Sequence, residues 1–221
     1  MEVFWVFKKS VASILLAGMM IGLLAGCGAK DSAADETTPE PEATQETASE
    51  ETDKKEETVP ETADEKTLVV YFSCTGNTKD VAEKIAEITD ADLYEIKAAQ
   101  EYTSEDLNWH DSSTRATSEQ NDPDARPEIG SEPLKLEGYT TVYIGYPIWW
   151  GEEPRIMDTF VESYDFTDIT MIPFCTSASS GMGSSGKNLA ENAGSGNWLE
   201  GSRFAPGTSS GDLESWIHSL K

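Results

Sequence analysis

The sequence is poor in cations, in cysteine and in histidine. Against 41 acidic side chains it has only 16 Lys and Arg in 221 residues, a formal net charge of −25. A nucleic-acid binder needs a basic stripe to displace counterions from phosphates, so that class is excluded. Three cysteines, at positions 27, 74 and 175, are too few for a disulfide framework. His110 and His218 stand far apart without Cys or His companions; both read as surface residues, and no metal centre is expected. The apolar run near the start, Val11 to Leu24, falls short of the ~20 residues that span a bilayer.

What is present divides the chain into three parts. Residues 1–27 read as a signal peptide: Lys8 and Lys9 precede the apolar run, and small residues follow it. That run ends in Leu24-Ala25-Gly26-Cys27, which resembles the lipobox of bacterial lipoproteins. The resemblance implies that the Cys27 thiol receives a diacylglycerol and anchors the protein at the extracytoplasmic face of a cell membrane. The apolar Val3 to Phe7 ahead of the lysines departs from the usual pattern. Residues 28–66 hold 14 acidic residues and 4 Lys, and Val59 is their one large apolar residue. Such a segment cannot bury enough surface to offset its ordering entropy, and its like charges extend it. It reads as a disordered acidic tether.

Residues 67–221 must then carry the chemistry, and at this length they can bury about 70% of their unfolded surface. Leu68 to Phe72 is a β-rich apolar run, the mark of a strand buried on both faces. Thr78 to Thr89 carries apolar residues at helical spacing, and Asp92 to Ile96 alternates like a second strand. Thr141 to Gly145 and Ile169 to Phe174 are further strands, separated by a helix over Pro154 to Tyr164. Lys187 to Asn192 and Asp212 to Leu220 read as later helices. This alternation predicts an α/β domain with a doubly wound parallel sheet. Ala98 to Glu137 breaks the rhythm. It is a long polar excursion where a helix would normally sit, and long ordered excursions are more often functional than idle.

Ser73-Cys74-Thr75-Gly76-Asn77-Thr78 joins the first strand to the first helix. Three hydroxyls, an amide and one Gly surround a helix start, where free N–H groups can hold a phosphate without any cation. A triphosphate loop would need Gly-Lys-Ser/Thr at this junction and a dinucleotide site Gly-x-Gly-x-x-Gly; residues 73–78 have neither. Read alone, the segment has one lesser alternative, an ordinary Ser/Thr/Asn-rich helix start without a ligand. Tyr146 to Gly151 leaves the carboxyl end of the third strand, beside the first, in the crevice where doubly wound sheets bind ligands. Trp149 and Trp150 diverge as neighbours, so one is expected inside and one on a ligand.

Strand-Ser-x-Thr-Gly-Asn-Thr-helix is similar to the FMN phosphate loop of flavodoxins. Gly145-Tyr146-Pro147-Ile148-Trp149-Trp150-Gly151 resembles the second loop of a flavodoxin-like subfamily. Phe174-Cys175-Thr176-Ser177 and the Ser/Gly stretch beyond resemble its third, and Tyr102 to Leu107 with Arg126-Pro127 its long insertion. The resemblance implies a five-stranded sheet of order 2-1-3-4-5 binding FMN. It assigns the phosphate to Ser73, Thr75, Gly76, Asn77 and Thr78, and the ring to Pro147, Ile148, Trp149, Trp150 and Gly151. Thr176, Ser177, Ser180 and Gly181 would meet the pyrimidine side. Thr176 to Ser185 lacks the aromatic residue that many flavodoxins place over the second ring face, and Trp109 or Tyr102 are the candidates to replace it. Cys74 and Cys175 end strands one and four, roughly 9–10 Å apart across the third, beyond disulfide reach.

Three functions fit these expectations: an electron carrier serving a redox partner protein, an NAD(P)H- and FMN-dependent reductase of a quinone-type small acceptor, or a binding lipoprotein that keeps only the fold. The part after residue 66 carries 26 acidic and 10 basic residues, a net of −16. A field of that sign steers basic partners and disfavours negative charge on a reduced flavin.

Overall fold

The computed structural model describes residues 65–220. The expected signal peptide, Cys27 and residues 28–64 of the tether lie outside the described residues.

The sheet grows from β1 (Lys66–Phe72), whose alternate side chains feed two cores. Leu68, Val70 and Phe72 pack with Ile156, Met157, Phe160 and Val161 on one face. Val69 and Tyr71 pack with Val81, Ile85, Leu213 and Ile217 on the other. The first set belongs to α3 (Arg155–Glu162), joined on that face by α4 (Ser185–Ala193). The second belongs to α1 (Asn77–Thr89) and α5 (Ser210–Ser219). Two cores on one strand require helices on both faces, as the unbroken apolar run predicts.

β2 (Asp92–Ile96), β3 (Tyr139–Pro147) and β4 (Thr170–Thr176) complete the parallel centre in the order β2-β1-β3-β4. The predicted 2-1-3-4-5 order is therefore the one observed, with the fifth strand broken in two. β5 (Asn197–Trp198) and β6 (Ser202–Phe204) both pair with β4. Pro173 explains the break. Leu199 donates to the Met171 carbonyl, so the next rung of a parallel ladder would have residue 173 donate back to Leu199. Proline has no N–H to give. Pairing resumes at Phe174 with Ser202, one extra residue having entered the outer strand, as at a bulge. Gly201 fits there because a Cβ would lie 2.2 Å from the Pro173 carbonyl oxygen.

The polar excursion between β2 and β3 folds back on the sheet and holds a short helix, α2 (Arg115–Asn121). Thr114 caps α2 by accepting from the Thr117 amide, and Ala116, Thr117 and Gln120 are its buried positions. Ala98 bridges Ile129 in antiparallel fashion, returning the chain beside the end of β2. His110 and His218 are exposed. No helix of the described residues is long and apolar enough to cross a membrane.

Gly145 pairs with Phe174 across β3 and β4, and the Phe174 ring lies over it. A Cβ at 145 would sit 2.1 Å from the ring's Cζ. Gly145→Ala should cost about 1–3 kcal/mol in urea unfolding. Phe174→Leu, which shortens the intruding side chain, should recover part of that loss in the double variant.

Candidate functional site

β1, β3 and β4 run parallel, so their carboxyl ends and the three loops that follow meet at one edge of the sheet. There the loops wall a cleft of about 520 Å³, a size typical of small-molecule sites. Ser73, Cys74, Thr75 and Thr78 line it from the first loop, and Pro147 to Trp150 from the second. Ser179 and Ser180 come from the third, while Leu107, Trp109 and Ala116 come from the excursion. None of these side chains is charged.

In the first loop, Gly76 occupies the N-cap of α1 with φ 87°, a left-handed conformation open to glycine at no steric cost. No side chain caps this helix. The Ser73 hydroxyl accepts from the Gly76 amide at 3.1 Å, and Asn77 donates to Thr75 at 3.3 Å, which ties the loop to itself. The amides opening α1 remain available, so the positive end of a 13-residue helix faces the cleft. Thr78 is buried, and its hydroxyl shares a 2.7 Å hydrogen bond with that of Thr176. Thr176 thus supports the first loop from below and does not line the cleft.

The second loop is a tight reversal. Trp149 and Glu152 exchange backbone hydrogen bonds of 2.9 and 3.0 Å around Trp150 and Gly151. Both central residues have positive φ, 49° and 91°, as a type I′ turn demands. Glycine accommodates this freely; tryptophan is strained, and such strain concentrates at functional sites. Trp150 is 47% exposed at the cleft. Trp149 is the inward one of the pair, with ring edges against Phe72 at 5.7 Å and Tyr102 at 5.2 Å.

Tyr102 was a candidate cover for a ring face, and the structure corrects this. It does not line the cleft but packs edge-on against Trp149, where the excursion holds it in place. Its hydroxyl donates to Glu119 at 2.5 Å, and the Arg115 guanidinium lies 4.1 Å over its ring. Arg115 also donates to Glu119 and to the Gln100 carbonyl, each at 2.7 Å. Trp109 is the excursion's aromatic at the cleft, 69% exposed and stacked on His110.

In the third loop, Ser177 donates to the Ser180 carbonyl. Arg203 of β6 donates to the Ser177 carbonyl at 2.6 Å and to its hydroxyl at 3.1 Å. Ser177 therefore braces the loop, Ser180 reaches the cleft, and Gly181 is exposed beyond it. Gly183 approaches the second loop so closely that a Cβ would lie 3.0 Å from the Gly151 carbonyl. Residues 181–186 do spell Gly-x-Gly-x-x-Gly ahead of α4. There the Ser185 amide donates to the Met182 carbonyl at 3.2 Å, and the buried Ser185 hydroxyl bonds that of Tyr146 at 2.9 Å.

Of the predicted residues, Ser73, Thr75, Thr78, Pro147, Ile148, Trp149, Trp150 and Ser180 line the cleft together. Gly76, Asn77, Gly151, Thr176, Ser177 and Gly181 shape or support its loops. Leu107, Ala116, Ser179 and Arg203 were not foreseen. The first two sit in a segment without periodicity, and Arg203 lies in a strand too short to read. Burial pushes the Cys74 and Cys175 thiols up to about 12, and both are free. Among the described residues no group of His, Cys, Asp and Glu is arranged to hold a metal ion.

A family model described as Flavodoxin matches residues 66–220. Two crystal structures of candidate flavoproteins resemble the chain. That from Bacteroides uniformis is 44% identical with a TM-score of 0.67, covering 70% of this chain and 98% of its own. That from Bacteroides eggerthii is 41% identical with a TM-score of 0.66, covering 70% and 97%. A flavoprotein from Lactobacillus acidophilus, solved in complex with FMN, is 26% identical with a TM-score of 0.54, covering 69% and 99%. A search of curated proteins finds no match.

Trp150→Asn should stabilise the ligand-free protein by about 1 kcal/mol in urea unfolding, because Asn tolerates a left-handed backbone where Trp does not.

Proposed function

The chain belongs to the flavodoxin family, and on that footing we propose that its cleft binds FMN. The protein would use the bound flavin to pass electrons to a redox partner outside the cytoplasm. Bound FMN supplies reversible one- and two-electron chemistry; the protein supplies position, electrostatics and access. The observation that carries the reading is the convergence of three loops around an uncapped helix start in an uncharged cleft.

The residues fit the group. A phosphate dianion needs donors, and the hydroxyls of Ser73, Thr75 and Thr78 stand with the amides of Asn77 and Thr78 at the open end of α1. Thr78 can accept from Thr176 and still donate to a phosphate. Trp149 and Trp150 offer indole surface for a planar ring, and the backbone of Ile148 to Gly151 offers groups for its edge. The FMN complex of the Lactobacillus acidophilus relative supports the same choice of ligand. A net charge of −16 after residue 66 suits a basic redox partner.

A second reading, direct reduction of a quinone-type small acceptor at the expense of NAD(P)H, draws on the rim. Trp109 is exposed there, and no aromatic side chain of the third loop covers the opening. NAD(P)H oxidation with a quinone, in the absence of any partner protein, would select it. A colourless protein that ignores added FMN would leave only a binding role for the fold.

The loop assignment has a direct test in titration of the apoprotein with FMN and with riboflavin, which lacks the phosphate. Thr75→Ala and Thr78→Ala should each weaken FMN by about 10- to 100-fold, the worth of one hydrogen bond to a charged group. Riboflavin should be affected far less, and equal losses would undo the assignment.

The anchor belongs to the same proposal. Cys27 would hold the domain at the membrane, with residues 28–66 as an extended spacer repelled from an anionic surface. Cys27→Ser should move the protein from the membrane fraction to the soluble fraction and abolish incorporation of labelled fatty acid. Retention in the membrane would rule the lipobox out.

A further inference from the structure

Glu153 and Asp158 are the two charged side chains that are fully buried among the described residues, each 1% exposed. They flank Arg155, and two buried carboxylates beside one guanidinium leave a surplus negative charge that a protein interior does not tolerate. The partners decide which acid gives way. Asp158 accepts from Asn192 at 2.9 Å and from Arg155 at 3.5 Å, and Arg126 attracts it from the excursion. Glu153 has its own backbone amide and Asn188, which donates to Oε2 at 3.2 Å. Its Oε1 has no hydrogen-bond partner, and Arg155 is 4.0 Å away. Arg155 commits one Nη to Glu152 at 3.1 Å and to the Gln120 carbonyl at 3.2 Å and the other to Asp158, while its buried Nε has no partner among the described residues.

Gln120 belongs to α2, in the excursion. Its Nε2 donates to the Glu153 carbonyl at 3.1 Å, which fixes the amide's orientation and leaves Oε1 as a second buried acceptor without a partner. Two orphaned acceptors in one cluster are resolved by a single hydrogen placed between them.

We propose that Glu153 is a proton-binding site, carrying its proton on Oε1 and donating it to Gln120 Oε1, so that one proton ties the two walls of the cleft together. The walls meet there by construction. Ala116 lines the cleft one helical turn before Gln120, and Trp149 and Trp150 line it just ahead of Glu153. Of the charged groups facing Glu153, Arg155 of α3 favours the carboxylate from 4.0 Å, and burial with the two neighbouring acids outweighs it. Burial is the main cause that raises its pKa, to about 7, with Asp158 of α3 and Glu152 of the second loop adding to it. The Glu153 charge in turn adds to the upward shift of Tyr146 on β3. The proposal is independent of the flavin.

A carboxyl near 4.5 when unfolded and near 7 when folded holds a proton in the native state alone across that interval. Its contribution is therefore fully present below about 4.5 and is lost as pH rises through about 7. The folding constant of the full chain, divided by that of Glu153→Gln, should fall about tenfold per pH unit over this window and level off above it. The amide of the variant keeps a donor toward Gln120 at every pH. A flat ratio would overturn the proposal.

Carbon-13 NMR of the Glu153 carboxyl in the unaltered protein tests it without any variant. A midpoint near 7, shared by the Gln120 side-chain amide, is expected, and Gln120→Met should lower that midpoint by about one unit. Titration near 4.5 would refute the buried proton. A midpoint near 7 to which Gln120 is indifferent would refute the tie between the walls.

Discussion

Everything at the site depends on the parallel pairing of β1, β3 and β4. Parallel strands bury both faces and send their connections out at the same edge, so three loops distant in sequence become neighbours there. The register has a chemical consequence as well. Thr78, in the first turn after β1, reaches Thr176 at the end of β4, and their shared hydrogen bond spans the sheet beneath the cleft. Remove the parallel order, and no local feature of residues 73–78 would bring them to Trp149.

Against that frame the second loop and the excursion act as one structure. Trp149 is held by Phe72 from the sheet and by Tyr102 from the excursion, and Tyr102 is itself fixed by Glu119 and Arg115. The strained backbone of Trp150 is tolerated because the turn around it is closed by two backbone hydrogen bonds. Stability is given up locally to present an indole at the mouth, a common arrangement where binding outweighs packing.

How much of this was legible in the sequence depended on periodicity. Leu68 to Phe72 and Thr141 to Gly145 announce buried strands because each is apolar on both faces, and Thr78 to Thr89 announces a helix by its spacing. The sheet order followed from the motifs those segments carry. Periodicity could say nothing of β5 and β6, at two and three residues, nor of α2, whose buried face consists of Ala116, Thr117 and Gln120. Polar burial defeats a hydrophobic reading. The same blindness hid Glu153 and Asp158, which look like surface acids in a chain full of them. The fate of the two tryptophans turned on a backbone sign at residue 150 that composition does not encode.

The broken outer strand has a consequence for the molecule among its own copies. An open parallel sheet offers its last strand as a template on which another chain could lay a further strand, and crowding at a surface would favour such growth. Pro173 prevents β4 from supporting a continuous partner, so the outer edge is two short pieces with a kink between them, too brief and too bent to template a neighbour. One missing amide hydrogen, three residues from the end of β4, thereby interrupts this edge of the sheet as a template.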